Sequence, residues 1–247
     1  MSKGIQSVER AARVLQTLAD GDGPMSLTVI AREVGLGKST THRILSSLCE
    51  TGLARGNISS RQYALGYGLL RLTANWLNGI EVRNAAIPFL RLLREVTGET
   101  VSLNVLDFDQ RIPVERLDTS REIRYIVELG RPQPLYAGAG GKAILAFLPE
   151  SEVHLLIKTA NLGPVNTKRL MIELENIRQT GSSVSKGEQV PGSCAISAPI
   201  FNHETAVVAS INILCLESTL QQKMEQDYRR QVKKAAAKVS AELGWRG

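Results

Sequence analysis

A short segment near the start of the chain places the strongest constraint on its fold. Residues 26–48 read SLTVIAREVGLGKSTTHRILSSL, and two short amphipathic stretches flank the turn Gly35–Gly37. Small polar and basic residues cover one side of the second stretch. Two helices joined by a short glycine-containing turn are typical of a helix-turn-helix, so duplex DNA is the first partner to consider.

The sequence around this segment completes a small domain. Apolar residues at helical spacing predict a first helix capped by Ser7, and Ser26 is expected to cap the second helix. The third helix is predicted over Lys38–Glu50. A polar turn within residues 53–65 is flanked by strand-like sequence, which predicts a hairpin. Three helices and a hairpin make a winged helix-turn-helix of residues 1–65.

The next segments are predicted to be helical as far as Gly98. Residues 66–79 are expected to form a linker helix that pauses at Asn78-Gly79, where residues 80–247 begin a second domain. Pro88 is expected either to start a new helix or to kink the existing one, because its ring removes a backbone hydrogen bond.

The second domain is predicted to contain both strands and helices. Strands are predicted at 101–106, 112–117, 123–129, 195–201 and 206–214. Helices are predicted at 139–147, 152–159, 168–180 and 222–243, the first three capped by Gly138, Ser151 and Thr167. Strands, then helices, then strands predict an α+β fold with an antiparallel sheet.

The positive charge is concentrated at the two ends of the chain. The formal net charge is +6. Residues 1–72 hold nine Lys/Arg against five Asp/Glu, residues 73–220 hold 14 against 16, and residues 221–247 hold seven against three. A basic N-terminal module favours a polyanionic partner, whereas the basic C-terminal stretch is expected to be a solvated helix face.

Several features predict a cytoplasmic protein with no membrane partner. The three cysteines are odd in number and form no CxxC pair, which fits a reducing compartment. The first residues lack the apolar core of a signal peptide. The most apolar run, residues 206–216, is too short to span a bilayer.

The common catalytic motifs are missing from the sequence. Gly37-Lys38 and Gly141-Lys142 are not preceded by the glycine that a phosphate-binding loop requires. The histidines and cysteines never fall at metal-ligand spacing, and no G-x-S-x-G elbow occurs. The sequence therefore predicts no catalytic residues, no metal and no cofactor.

The third helix carries the residues expected to contact DNA. At 100° per residue, Thr41, Ile44, Leu45 and Leu48 project towards the core, and hydroxyl and basic side chains lie on or near the opposite side. Such residues reach base edges and phosphates, and the amides of the first turn favour a phosphate. The candidate DNA-binding residues are Lys38, Ser39, Thr40, Thr41, His42, Arg43, Ser47, and, in the hairpin, Arg55 and Arg61. The alternative is a polar helix in a winged helix that binds proteins.

Six segments together resemble the isocitrate-lyase-regulator (IclR) family of bacterial transcription factors. In the first half they are QSVERAARVLQTLAD, LTVIAREVGLGKSTTHRILSSLCETGLA and RQYALGYGLLRL. In the second half they are RPQPLYAGAGGKAILAFLP, GSSVSKGEQVPGSCAISAPIF and VVASINI. The resemblance covers residues 4–245, in the family's order and spacing.

The resemblance implies both an architecture and a mode of action. It implies an N-terminal winged helix, a helical linker, and a C-terminal effector domain of the GAF/profilin-like kind. It further implies dimers that can pair into tetramers. Family members bind a palindromic operator and repress or activate transcription under the control of a small metabolite, commonly an organic or aromatic acid.

The resemblance also indicates where a metabolite would bind. The residues carried over are Gly138, Ala139, Gly140, Ser185, Glu188, Ala195, Asn212 and Leu214. Members that bind acids often carry Asp in place of Ser185, Cys in place of Ala195, and Ser in place of Asn212 and Leu214. Because a polar site discriminates through its paired groups, these differences indicate a different effector. From the residues alone, the glycine-rich run 137–141 suits either a carboxylate or a tight strand-to-helix turn.

The sequence as a whole predicts a regulator, acting as a repressor, whose operator affinity is controlled by an organic, sugar or aromatic acid. Two alternatives stay open. One is a winged-helix module that binds a protein and no small molecule. The other is a winged-helix repressor fused to an enzyme, which would need a nucleotide loop rich in glycine and arginine after the hairpin.

Overall fold

A computed structural model describes residues 4–57, 62–122 and 126–247, which divide into two units, residues 1–79 and 80–247. The first unit contains four helices and a small sheet among the described residues. Its elements are α1 (Gln6–Asp20), β1 (Met25–Ser26), α2 (Leu27–Glu33), α3 (Lys38–Glu50), β2 (Ala54–Asn57), β3 (Gln62–Leu65) and α4 (Gly68–Gly79). The strands pair antiparallel in the order β1-β3-β2.

Three helices of the first unit enclose an apolar core. The buried members are Val14 and Leu18 of α1, Ile30 and Val34 of the α2 region, and Leu45 and Leu48 of α3. Leu18, Ile30, Val34, Leu45 and Leu48 are among the residues whose helical spacing predicted the helices, and Val14 is not. Burying one stripe of each helix is what stabilises such short elements.

The predicted helix ends in this unit were partly correct. The bounds of α3 are confirmed, and Ser26 caps α2 by accepting a hydrogen bond from the Val29 amide at 3.4 Å. The cap predicted at Ser7 is wrong, because α1 begins one residue earlier and Ile5 precedes it without a side-chain cap. The two-residue strand β1 was not predicted, since nothing in so short a segment shows alternation.

The second unit contains six strands and five helices among the described residues. Its elements are α5 (Glu81–Thr97), β4 (Thr100–Asp107), β5 (Gln110–Leu117), β6 (Gln133–Pro134), α6 (Gly138–Leu145), α7 (Glu150–Ala160), α8 (Gly163–Thr180), β7 (Ser183–Lys186), β8 (Ser193–Phe201), β9 (Val207–Leu216) and α9 (Gln222–Glu242). The strands form one antiparallel sheet in the order β6-β5-β4-β9-β8-β7. The prediction of an α+β fold with an antiparallel sheet is confirmed.

One face of this sheet is apolar and carries the main core. Side chains of β4, β8 and β9, such as Leu103, Ile196 and Ile211, pack there against α5 and α9. A second cluster joins α6, α7 and α8 around Ile144 and Leu174. Because α6 also contacts β8 and β9, both faces of the sheet are covered by helices.

Pro88 lies inside α5, which continues from Glu81 to Thr97. Of the two alternatives expected at Pro88, the start of a new helix is therefore wrong, and a kink of the existing helix stays a prediction. Proline removes one backbone hydrogen bond, but Val82, Ala86 and Leu90 are buried along one side of α5, and this packing holds the helix together across it.

Several predicted ends in the second unit need correction. Gly138, Ser151 and Thr167 do not cap helices but lie within them, since α6, α7 and α8 begin at or before these residues. The strand predicted at 123–129 is wrong for residues 126–129, and residues 123–125 lie outside the described part of the chain. No described helix has the length and apolar character that a membrane span needs.

Candidate nucleic-acid interface and ligand cavity

The turn before α3 leaves the start of that helix open. Gly35 has a φ of +65°, a left-handed conformation that glycine adopts without strain. Gly37 precedes α3, and no side chain caps the helix. The amide groups of the first turn, including those of Lys38 and Ser39, therefore point out of the helix end, where the helix dipole favours an anion.

The side chains predicted to contact DNA divide by burial. Lys38, Ser39, His42, Arg43 and Ser47 are exposed. They share one surface of α3, opposite the buried Leu45 and Leu48. The surface combines two cations with two hydroxyls, a mixture suited to phosphates and base edges.

Thr40 and Thr41 differ from this group. Thr40 is half-buried. Thr41 is fully buried, and its hydroxyl donates a hydrogen bond to the Gly37 carbonyl at 3.1 Å. The prediction that Thr41 contacts DNA is wrong, because its buried side chain cannot reach a DNA groove. The proposed DNA-contacting surface therefore does not include Thr41.

A groove of about 510 Å³ runs between α1 and α3. Arg43 and Ser47 line it from α3, and Gln6 and Arg10 line it from α1. Arg10 was not singled out from the sequence, where it reads as one more polar residue of an amphipathic helix. The groove places a second arginine beside the surface of α3.

Of the two hairpin arginines that were predicted to contact DNA, the structure describes only Arg55. Arg55 is exposed, its Nε donates to the Leu65 carbonyl at 3.3 Å, and its guanidinium lies 5.3 Å from the centre of the Tyr67 ring. These contacts hold Arg55 in place without burying it. Arg61 lies outside the described residues.

The second unit carries a row of buried polar groups on the sheet face that α6 covers. Ser102 of β4, Asn212 of β9 and Ser197 of β8 lie side by side in register. The Ser197 hydroxyl donates to Asn212 Oδ1 at 2.5 Å, and Asn212 Nδ2 donates to the Ser102 carbonyl at 3.1 Å. Asn104 and Ser210 form the neighbouring row, joined at 3.4 Å. Polar groups buried between a sheet and a helix are costly, which suggests a binding role.

A narrow cavity lies between these rows and α6. Its described wall consists of Ser102, Asn104, Arg111, Val127, Gln133, Ala139, Gly140, Gln189, Ala195, Asn212 and Leu214. It leaves about 20 Å³ for the centre of a water molecule, which is room for about one water. The Gln189 amide donates to Gln133 Oε1 at 3.2 Å, which joins two parts of the wall. A larger ligand therefore has to displace some of these side chains.

The structure brings all eight predicted effector-binding residues to this region, but in two layers. Ala139, Gly140, Ala195, Asn212 and Leu214 line the cavity itself. Gly138, Ser185 and Glu188 are not among its lining residues and are joined behind it by hydrogen bonds. Their role in effector binding stays a prediction, and the geometry separates the residues that line the cavity from those that support it.

Gly140 is required for the close approach of α6 to the sheet. A Cβ atom at this position would lie 2.5 Å from Asn104 Nδ2, 2.5 Å from Asn212 Oδ1 and 3.2 Å from Arg111 Nη1. Contacts of 2.5 Å are shorter than packed atoms tolerate. The missing side chain is what lets three polar groups meet at the helix.

Side chains of the protein already occupy the first amides of α6. The Gly138 amide donates to Glu188 Oε2 at 3.0 Å, and the Ala139 amide donates to Ser185 Oγ at 3.0 Å. A carboxylate at a helix N-terminus is the favourable arrangement that the glycine-rich run suggested. Here the carboxylate belongs to the chain itself.

Lys142 holds this carboxylate from the other side. Its buried Nζ lies 2.6 Å from Glu188 Oε1 and 2.6 Å from Glu173 Oε2 of α8. Burial alone would raise the pKa of Glu173, but hydrogen bonds and charges from Lys142 and Arg169 outweigh it and lower that pKa below its ordinary value of 4.5. The network fixes Glu188, and with it the start of α6.

Sequence reasoning missed five described lining residues that carry polar groups: Ser102, Asn104, Arg111, Gln133 and Gln189. One signal was available in β4 and β9, where Ser102, Asn104, Ser210 and Asn212 alternate with apolar residues. Such alternation normally marks a solvated sheet face, but the helices predicted nearby would cover it. Arg111 gave no signal, because a charged residue at the start of a strand is usually exposed.

The described residues contain no group of histidine, cysteine, aspartate or glutamate side chains that could hold a metal ion.

Both units match a single protein family. Residues 7–57 match the IclR helix-turn-helix domain, and residues 74–241 match the family described as bacterial transcriptional regulator IclR C-terminal.

Individual relatives agree with the family match over almost the whole chain. The transcriptional regulator KipR of Bacillus subtilis is 31% identical over 227 residues, 90% of each chain. The transcriptional repressor AllR of Escherichia coli K12 is 29% identical over 98% of this chain and 92% of its own. The crystal structure of Thermotoga maritima IclR superposes with a TM-score of 0.84 at 27% identity, covering 98% and 100% of the chains. These relatives regulate transcription and are not enzymes.

Proposed function

Since this chain belongs to the IclR family of DNA-binding transcriptional regulators, we propose that it is a repressor whose operator affinity is set by a small organic acid. The proposal that the protein binds operator DNA is carried by the exposed surface of α3, which includes Lys38, Ser39, His42 and Arg43. The name of the relative AllR, a repressor, supports the sign of regulation. Because it acts on DNA, its compartment is the bacterial cytoplasm.

The operator is a palindrome read by a homodimer or a homotetramer. A dimer places two copies of α3 in successive major grooves, about one helical turn apart. The resemblance to the family supports self-association, since it implies dimers that can pair into tetramers.

The experiment that tests the DNA half begins with selection of binding sites from random duplexes, using the full-length protein. Arg43→Ala should then weaken binding to the selected site by about 1–3 kcal/mol, because the variant lacks the base or phosphate contact that the Arg43 guanidinium makes. The matched control is Arg230→Ala, which removes an arginine that is 75% exposed on α9. Equal loss in both variants, or no loss in Arg43→Ala, would contradict the assignment of α3 as the reading helix.

The proposal that a small organic acid controls the protein is supported by the polar cavity beneath α6. Asn212→Ala removes a lining side chain that also holds Ser102 and Ser197. We expect this variant to change acid binding, followed by thermal shift, while DNA binding without effector stays at the wild-type level. Loss of DNA binding in a folded Asn212→Ala protein would contradict the division of labour between the two units.

A further inference from the structure

Two of the three cysteines lie directly opposite each other in the large sheet. Cys194 of β8 pairs with Cys215 of β9 in antiparallel register, and both are free thiols. Residues opposed in this way have Cα atoms about 4.5–5.5 Å apart. This separation lies within the range of about 4.4–6.8 Å that a disulfide spans. A disulfide between β8 and β9 therefore needs little movement of the backbone.

The cysteine pair lies on the sheet face that packs against α5 and α9, away from the cavity beneath α6. Cys194 is 1% exposed and Cys215 is 4% exposed, and both belong to the main core. The next residues along the two strands, Ala195 and Leu214, pair with each other and line the cavity. A bond between the two sulfur atoms would thus join two strands that also carry part of the cavity wall.

The two thiols contact each other, and they are not equivalent. A hydrogen bond donated by the Cys215 thiol lowers the pKa of Cys194 below its ordinary value, although burial opposes this change. The positive charge of Lys186, which lies opposite Cys194 on β7, lowers that pKa further. The same hydrogen bond and burial both raise the pKa of Cys215. Cys194 is therefore the thiol that ionises first, and Cys215 is the one that keeps its proton.

The cation beside Cys194 lies at the edge of the sheet. β7 is the edge strand, and its Lys186 forms an ion pair with Glu225 of α9 at 2.9 Å. Glu225 and Glu217 act against Lys186 at Cys194, but each has a smaller effect on the pKa. Because β7 has only four residues, local opening of this edge is the route by which we expect a small reagent to reach the thiols.

A carboxylate lies on the other side of the pair, beside Cys215. Glu99 directly precedes β4, is 2% exposed, and forms an ion pair with Arg121 at 2.9 Å. The Tyr228 hydroxyl of α9 donates a hydrogen bond to Glu99 Oε1 at 3.3 Å. Negative charge at this position disfavours a thiolate at Cys215. Lys186 and Glu99 thus favour the same distribution of charge, with the thiolate at Cys194.

We propose that Cys194 and Cys215 form a reversible oxidation site, at which a hydroperoxide converts the two thiols into a disulfide between β8 and β9. The Cys194 thiolate attacks the terminal oxygen of the hydroperoxide. An S–O bond forms, the O–O bond breaks, and the alkoxide or hydroxide that leaves takes up a proton. The product at Cys194 is a sulfenic acid.

Cys215 resolves this sulfenic acid. Its sulfur attacks the Cys194 sulfur, so the S–S bond forms and the S–O bond breaks. The hydroxide that leaves departs as water with the Cys215 proton. In total the two sulfur atoms lose two electrons, and the hydroperoxide is reduced to water and an alcohol, or to two waters if it is hydrogen peroxide. A dithiol reductant reverses the change by thiol–disulfide exchange. This site does not depend on the acid effector.

The test treats the reduced full-length protein with hydrogen peroxide, removes the peroxide with catalase, and alkylates the unfolded protein. Peptide mass mapping then identifies the free and the linked cysteines. We expect the three free thiols to fall to one, with a cross-linked Cys194–Cys215 peptide, and dithiothreitol to restore all three. Cys49→Ser is the control, because Cys49 lies in the other unit, and this variant should form the same cross-link.

Single-cysteine variants assign the two steps. In Cys215→Ser the reaction should stop at the Cys194 sulfenic acid, which dimedone labels. In Cys194→Ser, dimedone should label Cys215 at least about tenfold more slowly, because its thiol stays protonated. Circular dichroism and the melting temperature of each reduced variant show whether it folds.

Lys186→Met keeps both cysteines and therefore tests the site even if the cysteine variants do not fold. It removes the cation beside Cys194 and should slow disulfide formation by about threefold or more at pH 7. Lys158→Met makes the same change at an exposed position of α7 and should leave the rate unchanged.

Three outcomes would overturn this inference. The first is three free thiols in the folded wild type after a peroxide treatment that oxidises glutathione. The second is a loss of thiols without a Cys194–Cys215 cross-link. The third is a wild-type rate of disulfide formation in folded Lys186→Met. None of them depends on operator selection, so the proposed function fails separately, if the wild-type protein selects no DNA site.

Discussion

At the scale of single residues, the cavity depends on the absence of one methyl group. Gly140 allows Asn104 and Asn212 to meet α6, and both asparagines are already tied to serines across the sheet. Adding a Cβ there forces these side chains apart, since the neighbouring atoms are packed and cannot all retreat.

We therefore expect Gly140→Ala to lower the free energy of unfolding by about 1–3 kcal/mol and to abolish acid binding. Urea unfolding and thermal shift with the ligand measure the two effects. Gly23→Ala is the control, because a Cβ at Gly23 meets nothing within 4 Å. An unchanged response to acid in Gly140→Ala would show that the cavity beneath α6 is not the binding site.

Residue-scale prediction from sequence succeeded where helical spacing decides and failed where a distant element covers a face of the sheet. The exposed face of α3 followed from helical spacing alone. The burial of Arg111 follows instead from α6, which covers the sheet face that Arg111 shares with Asn104 in the β4–β5 pairing. Alternation within β5 indicates the face that a side chain occupies but not the helix that covers it.

At the scale of elements, α6 is fixed by α8 and by the loop between β7 and β8. Lys142 lies between Glu173 of α8 and Glu188 of that loop. The lowered pKa of Glu173 means that its ionised form is favoured in the folded protein. Such a carboxyl stabilises the fold above its ordinary pKa, and the contribution is lost as the pH falls through the lower, folded value.

We expect the stability advantage of the wild type over Glu173→Gln to be present near pH 7 and to shrink as the pH falls below 4.5. Urea unfolding at a series of pH values measures it. Glu175→Gln changes a more exposed carboxyl of the same helix and is the control. If the loss of stability in Glu173→Gln, relative to the wild type, grew towards acid pH, the proposed role of ionised Glu173 in the ion-pair network would be contradicted.

The starts of elements were harder to predict than their existence. Ser151 and Thr167 resemble caps, but α7 begins directly after Pro149, and Pro164 lies in the first turn of α8, where proline fits. The short edge strands β6 and β7 depend on pairing with distant strands, so sequence periodicity does not reveal them.

At the scale of the whole molecule, regulation requires that effector and operator influence each other. The two proposed sites lie in different units, residues 1–79 and 80–247. The link between them is a coupling free energy, and we propose that the linker helix α4 carries it. A coupling of about 1–3 kcal/mol changes operator affinity by about 5- to 150-fold.

Coupling of this kind is reciprocal, which gives a test that needs no knowledge of the pathway between the sites. If the acid weakens operator binding by some factor, saturating operator DNA must weaken acid binding by the same factor. Anisotropy with labelled operator and calorimetry with the acid measure the two ratios on full-length protein. In Asn212→Ala the factor should approach one at acid concentrations that saturate the wild type, whereas Arg230→Ala should retain it. Unequal ratios in the wild type would mean that the acid acts by another route, such as a change in oligomeric state, because a closed thermodynamic cycle permits no difference.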